Sequence, residues 1–234
     1  MKRLLHHLRH DASRVPALLW KNLRYPFSAA GAELRFDRSL GIDTAGVIEA
    51  NELGNGVDAK GYHAMPPKIA EYMIAQVAPR AKDFTFVDVG SGKGRLVLIA
   101  ARHPFRSVIG VELSAPLCEI ARRNIQNAAS RFNCIAPIEI VCADARTYAI
   151  PDGSCTLFFY DPFFGEVADR VVTNIVRSFE AAPREIIVLY YSDAFPARLS
   201  APPFVRRDLP AQPRDRLYRY DSFGLRAAMF ELAP

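Results

Sequence analysis

No uncharged apolar run in these 234 residues approaches the roughly 18 to 20 that a membrane-spanning helix requires, so transmembrane readings fall away. Cysteine is sparse: Cys118, Cys134, Cys142 and Cys155 form no C-x-x-C pair and have no histidines at ligand spacing. No zinc site is legible, and reduced thiols in a cytoplasmic protein are the expectation. Internal repeats and low-complexity tracts are missing too, which excludes solenoids and collagen-like chains. Acids are nearly missing from one stretch alone. Residues 1–32 hold six Lys or Arg against the single acid Asp11, while the remainder balances at 24 basic and 24 acidic residues. The net charge of +5 therefore belongs to the N-terminal segment and not to the body of the protein.

That segment lacks the apolar stretch and small-residue cleavage site of a secretory signal, although its arginines give it some likeness to an organelle transit peptide. Leu4, Leu5, Leu8, Leu18, Leu19 and Trp20 read more simply as apolar faces of short helices, broken at Pro16, that cover the core or a partner. Residues 1–34 are thus expected to be a basic helical segment, 35–66 a cap or lid with Gly54, Gly56 and Gly61 as hinges, and 67–234 one domain. Half the residues are apolar and 24% are charged, which is ordinary globular composition for a chain of this length.

From residue 67 onward, strand-like and helix-like runs alternate at βαβ spacing, which predicts an α/β fold with a mostly parallel sheet. Short apolar or β-branched runs at 84–89, 107–112, 137–142, 155–160 and 185–191 predict strands buried on both faces. Three- and four-residue apolar spacing predicts helices over 68–78, 93–102, 114–129 and 165–180, with Ser114 and Pro116 marking a helix start. Residues 204–209 and 225–232 predict an antiparallel pair at one edge.

The most informative stretch runs from Phe84 to Ala101 and contains Val87-Asp-Val-Gly90-Ser-Gly92-Lys-Gly94-Arg95: a strand, a glycine-rich turn and a helix. Free N–H groups at such a turn favour an anionic ligand group. A phosphate loop would need Ser or Thr after Lys93, where Gly94 stands, and a dinucleotide fingerprint would need Gly or Ala where Arg95 stands. Asp88 then discriminates further, because an acid at the carboxyl end of the strand calls for a cation. An ammonium for Asp88, a carboxylate for the turn and a ribose for Glu112 at the end of the second strand describe S-adenosylmethionine. Asp144, after the third strand, is placed to accept the exocyclic amino group of adenine. Singly each acid reads as a solvated loop charge; three at successive strand ends point to one ligand.

Val87 to Arg95 resembles the first motif of the class I S-adenosylmethionine-dependent methyltransferases in its DOT1-like form. The resemblance continues through Ile109-Gly-Val-Glu112-Leu-Ser, Asp144-Ala145 and Phe159-Tyr160-Asp161-Pro162-Phe163, and upstream through Phe36 to Gly46. It implies a Rossmann-like seven-stranded sheet of order 3-2-1-4-5-7-6. It also implies a cofactor site of Asp88, Gly90, Ser91, Gly92, Gly94, Glu112, Leu113, Asp144 and Ala145. Where relatives carry a Tyr, Pro and Ser or Thr cluster, this chain has Gly61 to Pro66, so Tyr62 and His63 read as structural and surface residues. Asp161-Pro162-Phe163-Phe164 is similar to the motif of amino-group methyltransferases but has one proline. It makes Asp161, Tyr160 and Phe163 the candidate catalytic group, with Phe164 as a further wall; Tyr190, Tyr191 and Asp193 face the same rim, core packing being the default for both tyrosines. A protein side chain or small amine is the favoured acceptor, and RNA remains open. Two other classes stay in view: a silent binding module tethered to RNA or another polyanion by the basic arm, and a nicotinamide-dependent oxidoreductase, in which Asp88 would face a pyrophosphate.

Overall fold

The computed structural model describes residues 29–53, 60–192, 194–210 and 226–234. Helix α1 (Ala29–Leu40) leads into a two-stranded antiparallel ribbon, β1 (Val47–Ile48) with β2 (Tyr62–His63), and a short helix α2 (Ala50–Leu53) follows β1. The expected boundary at 34/35 falls inside α1, which is one continuous helix. The domain then unfolds as α3 (Pro67–Ala75), β3 (Thr85–Val89), α4 (Arg95–Ala100), β4 (Ser107–Glu112), α5 (Ala115–Ala128), β5 (Ile138–Cys142), β6 (Cys155–Tyr160), α6 (Gly165–Ala181), β7 (Ile186–Ser192), β8 (Val205–Arg207) and β9 (Arg226–Leu232). The N-terminal apolar helices, Gly54, Gly56 and Asp193 lie outside the described residues.

The seven strands line up as β5-β4-β3-β6-β7-β9-β8, which, counted from the first strand of the sheet, is the order 3-2-1-4-5-7-6. Every pairing is parallel except those of β9, which runs antiparallel to both β7 and β8. Alternation along the central strands divides the core by face. Phe86, Phe158, Leu189 and Tyr191 join Ile69, Met73, Val97, Ile99 and Ala121 of α3, α4 and α5 on one side. Val87, Val89, Leu157, Phe159, Val188 and Tyr190 meet Val171, Val172, Ile175 and Val176 of α6 on the other. Because β3, β6 and β7 are covered on both faces, apolar residues there need no polar alternate, and the strand runs were legible for that reason.

Local sequence accounts for the helices. α6 buries Ala168, Val171, Val172, Ile175 and Val176, a stripe at three- and four-residue spacing. Its C-terminal carbonyls at Ser178 and Ala182 are taken by the guanidinium of Arg184 at 2.8 Å, which satisfies groups that a helix end leaves orphaned. Ser114 occupies the N-cap of α5, yet its hydroxyl makes no capping bond; its N–H goes instead to Glu112, while Pro116 fills the first turn. Among the described residues no helix is long and apolar enough to cross a membrane.

Candidate active site

The candidate residues gather where β3, β4, β5 and β6 end, the side of an open parallel sheet on which its crevice forms. The turn after β3 is left-handed at Gly90, Gly92 and Gly94. At the first two positions the missing Cβ is required by the protein's own side chains: a Cβ on Gly90 would lie 2.8 Å from Cβ of Pro162, and one on Gly92 would overlap the ring of Tyr62. The amides expected to be free are engaged. Gly90 and Ser91 donate to the carbonyl of Val111, Gly92 to Oε2 of Glu112, and Gly94 to the carbonyl of Ser91. The turn is therefore a clasp between β3 and β4, and these four amides are spent within the protein. Ser91 is buried with its Oγ turned toward Gly110 of β4.

Asp88 lies beneath this turn, 4% exposed, and no cation among the described residues pairs with it. Burial, and secondarily the neighbouring Glu112, push its carboxyl up to about 8. Glu112 is buried at the end of β4 and accepts the N–H groups of Gly92 and Ser114, each at 2.8 Å. Burial raises its carboxyl, and those backbone bonds oppose the rise. A carboxylate has about four acceptor positions, so about two remain for an incoming pair of hydroxyls. Next to it Leu113 is 47% exposed, an apolar side chain open at the strand end.

Asp144 follows β5, with Ala145 half-buried beside it. Its carboxylate is already held by Arg146, whose Nε reaches both oxygens at 3.0 and 2.8 Å and whose backbone N–H adds a bond at 2.9 Å. The guanidinium bonds hold this acid below its usual range. Asp88 and Glu112 are thus raised acids without a cationic partner among the described residues, and Asp144 is a partnered one.

A second group stands at the end of β6. Asp161 has a φ of +43°, a left-handed conformation costly for a residue with a Cβ. Its Oδ1 accepts the Ser192 hydroxyl and its Oδ2 the ammonium of Lys60, each at 2.5 Å. The next residue, Pro162, is the one seated on Gly90, so the two groups abut. Tyr160 leans on Tyr191 with ring centroids 5.9 Å apart, and burial raises its hydroxyl. Phe163 stands edge-on to Phe159 at 6.0 Å, against the core on the α6 side, whereas Phe164 is 49% exposed at the head of α6. Tyr190 and Tyr191 are core residues.

Several residues around the site escape sequence reasoning. Arg95, 2% exposed, donates from Nε to Thr44 at 2.7 Å and from Nη1 to the Met65 carbonyl, and pairs with Asp37 at 3.4 Å. Asp37 in turn accepts the N–H groups of Thr44 and Ala45 and the Thr44 hydroxyl. Lys93 reaches Asp43 at 2.8 Å, and Asn124 holds Asp43 from α5. The upstream segment is bolted onto the glycine turn by the motif's two basic residues. Tyr62 belongs to the same assembly, its hydroxyl on the Thr44 carbonyl and its ring on Gly92, so it is part of the site's wall. The sequence signals were the resemblance that runs upstream through Phe36 to Gly46 and the acids of that segment facing Lys93 and Arg95 some fifty residues on.

An unpartnered buried acid at Asp88, spare acceptor positions on Glu112 and an open apolar side chain at Leu113 fit a ligand bearing an ammonium group, a ribose and a flat base. Residues 87–180 match the model of a methyltransferase domain family. This stretch of the chain carries a methyltransferase domain of the S-adenosylmethionine-dependent kind, with S-adenosylmethionine as its cofactor. Among solved structures, TrmN from Thermus thermophilus shares 18% identity at a TM-score of 0.51, covering 72% of this chain and 49% of that one. An RNA methyltransferase from Salinibacter ruber in complex with S-adenosyl-L-homocysteine gives 20% identity and a TM-score of 0.48, covering 72% and 91% of the two chains. The protein yhhF from Escherichia coli gives 13% and 0.49, covering 81% and 99%. No match was found among curated proteins.

Proposed function

We propose that this chain transfers the methyl group to an amine nitrogen held by Asp161. The observation that carries the reading is the placement of that carboxylate. It is fixed in a left-handed conformation by Ser192, with the following proline resting on the glycine turn of the cofactor side. Backbone strain of this kind persists only where surrounding structure over-determines it, and it concentrates at functional positions.

The sulfonium of the bound cofactor supplies an already activated methyl group, so the protein's part is alignment and exclusion of water. Asp88 would take the cofactor's ammonium and Glu112 its ribose hydroxyls. Leu113 and the backbone of Ala145 would lie against the base, with Asp144 near its amino group once Arg146 is accommodated. Gly90, Ser91, Gly92 and Gly94 keep the turn narrow enough for these groups to converge. An acceptor arriving as an ammonium would first give one proton to solvent, and Asp161 with the carbonyl of Tyr160 would then orient its remaining N–H bonds so that the freed lone pair points along the transfer axis. Phe163 would close the side of the site away from solvent. Residues 35–66 serve as the cap.

The test is methyl transfer from labelled S-adenosylmethionine to a panel of primary amines, lysine peptides and RNA by the wild type and Asp161→Asn. The expected outcome is transfer to amines, reduced about a hundredfold or more in the variant while S-adenosylhomocysteine binding is kept. Transfer to RNA alone, or full amine activity in the variant, would overturn the reading.

A further inference from the structure

The ammonium of Lys60 lies where the proposed function puts the acceptor amine. Its Nζ is 2.5 Å from Oδ2 of Asp161, and the backbone N–H of the same residue donates to the carbonyl of Pro162 at 3.1 Å. Lys60 is held at both ends by the two residues that begin the β6 loop. The chain beyond it stays close to the site. Gly61 lies against the Ile48 carbonyl so closely that a Cβ would overlap it, and Tyr62 covers Gly92. An extended segment, carrying a lysine and bonded through its main chain, therefore lies across the acceptor group in the way a peptide adds to an exposed backbone edge.

This contact has the energetics of an occupant and not of a keystone. The two side chains are 33% and 22% exposed, and with that access to water the pair is weak. Asp161 does not depend on Lys60 for its position, because Ser192 holds its other oxygen. Removing Lys60 leaves the carboxylate in place and ready for another cation.

Resting on the amine-acceptor reading, we infer that Lys60 is an internal placeholder for the substrate. It fills a seat built for a primary ammonium on a flexible apolar stem, and the acceptor is a lysine-like side chain on an extended segment that displaces it. Lys60 is thus a specificity-determining residue whose departure precedes acceptor binding. A binding-competent state populated only in part weakens apparent affinity by that fraction, so removing the placeholder strengthens acceptor binding.

The experiment is calorimetric titration of the full chain, loaded with S-adenosylhomocysteine, with Nα-acetyl-lysine methylamide and with its neutral norleucine counterpart. Lys60→Met is expected to bind the lysine amide about threefold more tightly than wild type, a difference of about 0.6 kcal/mol, with the norleucine amide unaffected. In methylation of the same amide, KM should fall with kcat kept. Lys60→Arg, which restores a cation, should return to wild-type affinity, and Asp161→Asn should lose binding. Equal affinity in wild type and Lys60→Met, both lost in Asp161→Asn, would overturn the placeholder while leaving the amine reading intact. Absence of lysine amide binding in both, with S-adenosylhomocysteine still bound, would overturn the amine reading and the placeholder with it. Should Lys60→Met fail to melt cooperatively, the ¹⁵N-labelled ammonium signal of Lys60 in the wild type decides: it must shift toward a free lysine on saturation with the amide, and a signal that stays put overturns the inference.

Discussion

Asp88 concentrates the physical cost of the cofactor end of the site in one side chain. Its carboxyl sits buried without a described cation and titrates near 8 in the fold against 3.8 for an unperturbed group. The folded chain therefore holds this proton more tightly than the unfolded chain. Stability is accordingly greatest below about pH 4 for this group and is lost progressively as pH rises toward about 8. Glu112, shifted upward as well, adds to the slope with the same sign. We predict that urea midpoints of the ligand-free protein fall between mildly acid and mildly alkaline buffer, and that Asp88→Asn removes much of the fall. A flat wild-type profile, or an unchanged slope in the variant, would contradict this. In the cofactor complex an ammonium beside Asp88 favours the ionised carboxylate, so calorimetry near neutral pH should register proton release by that group on binding. The residue-scale reading of Asp88 and Glu112 was available from position alone. That of Asp144 was incomplete, since nothing in its spacing shows that Arg146 two residues on would fold back over both oxygens.

Among the elements, the joint between α1, the residues following it and the head of α4 is the one on which the cap depends. Arg95 is surrounded by Asp37, Thr44 and the Met65 carbonyl and stands over the ring of Phe36 at 5.4 Å. Removing one partner from a buried charged cluster leaves the other uncompensated, at a cost of about 3 to 5 kcal/mol. Arg95→Met should therefore destabilise the chain by about that much in denaturant unfolding, and limited proteolysis should cut residues 41–53 first. If stability is retained within experimental error, the cluster is not the cap's anchor. Gly92 tests the same joint from the other side. Alanine there is strained at a φ of 53° and displaces Tyr62, so the variant should lose cap protection even if the domain stays folded. Several elements were well anticipated: β4 and β6 span the expected residues, α5 is a residue shorter at each end, and α6 is a residue longer at one, while α3 stops three residues early at Ala75. The short helix after the glycine turn is the exception. All its residues, Arg95 included, are buried, so no change of polarity marks its ends.

The whole molecule places two acid groups at adjacent strand ends because β3 lies between β4 and β6 in the sheet. One neighbour delivers Glu112 and the other Asp161, and the turn after β3 touches both, through the Gly92 amide and through Gly90 against Pro162. A ligand that binds the folded state alone stabilises it by about 2.7 kcal/mol at a hundred times its dissociation constant. S-adenosylhomocysteine should accordingly raise the melting temperature by several degrees, by much less in Asp88→Ala, and by an undiminished amount in Lys60→Met. A loss of the shift in the lysine variant would place Lys60 on the cofactor and not the acceptor.

The amino-acid sequence by itself determined the class of fold and the cofactor. Both are local properties: buried parallel strands are continuous apolar runs, and an acid two residues ahead of a glycine turn keeps its place at a strand end wherever the strand lies. Only the tertiary structure decided how the turn's amides are spent, what the motif's basic residues hold, and which cation sits on Asp161. Those answers depend on partners in other elements: the Gly92 amide on Glu112 20 residues on, Lys93 on Asp43 50 residues back, and Lys60 on Asp161 101 residues on. No periodicity or spacing within a single segment encodes such pairs; they exist because packing the upstream segment across the sheet's carboxyl edge brings opposite charges together.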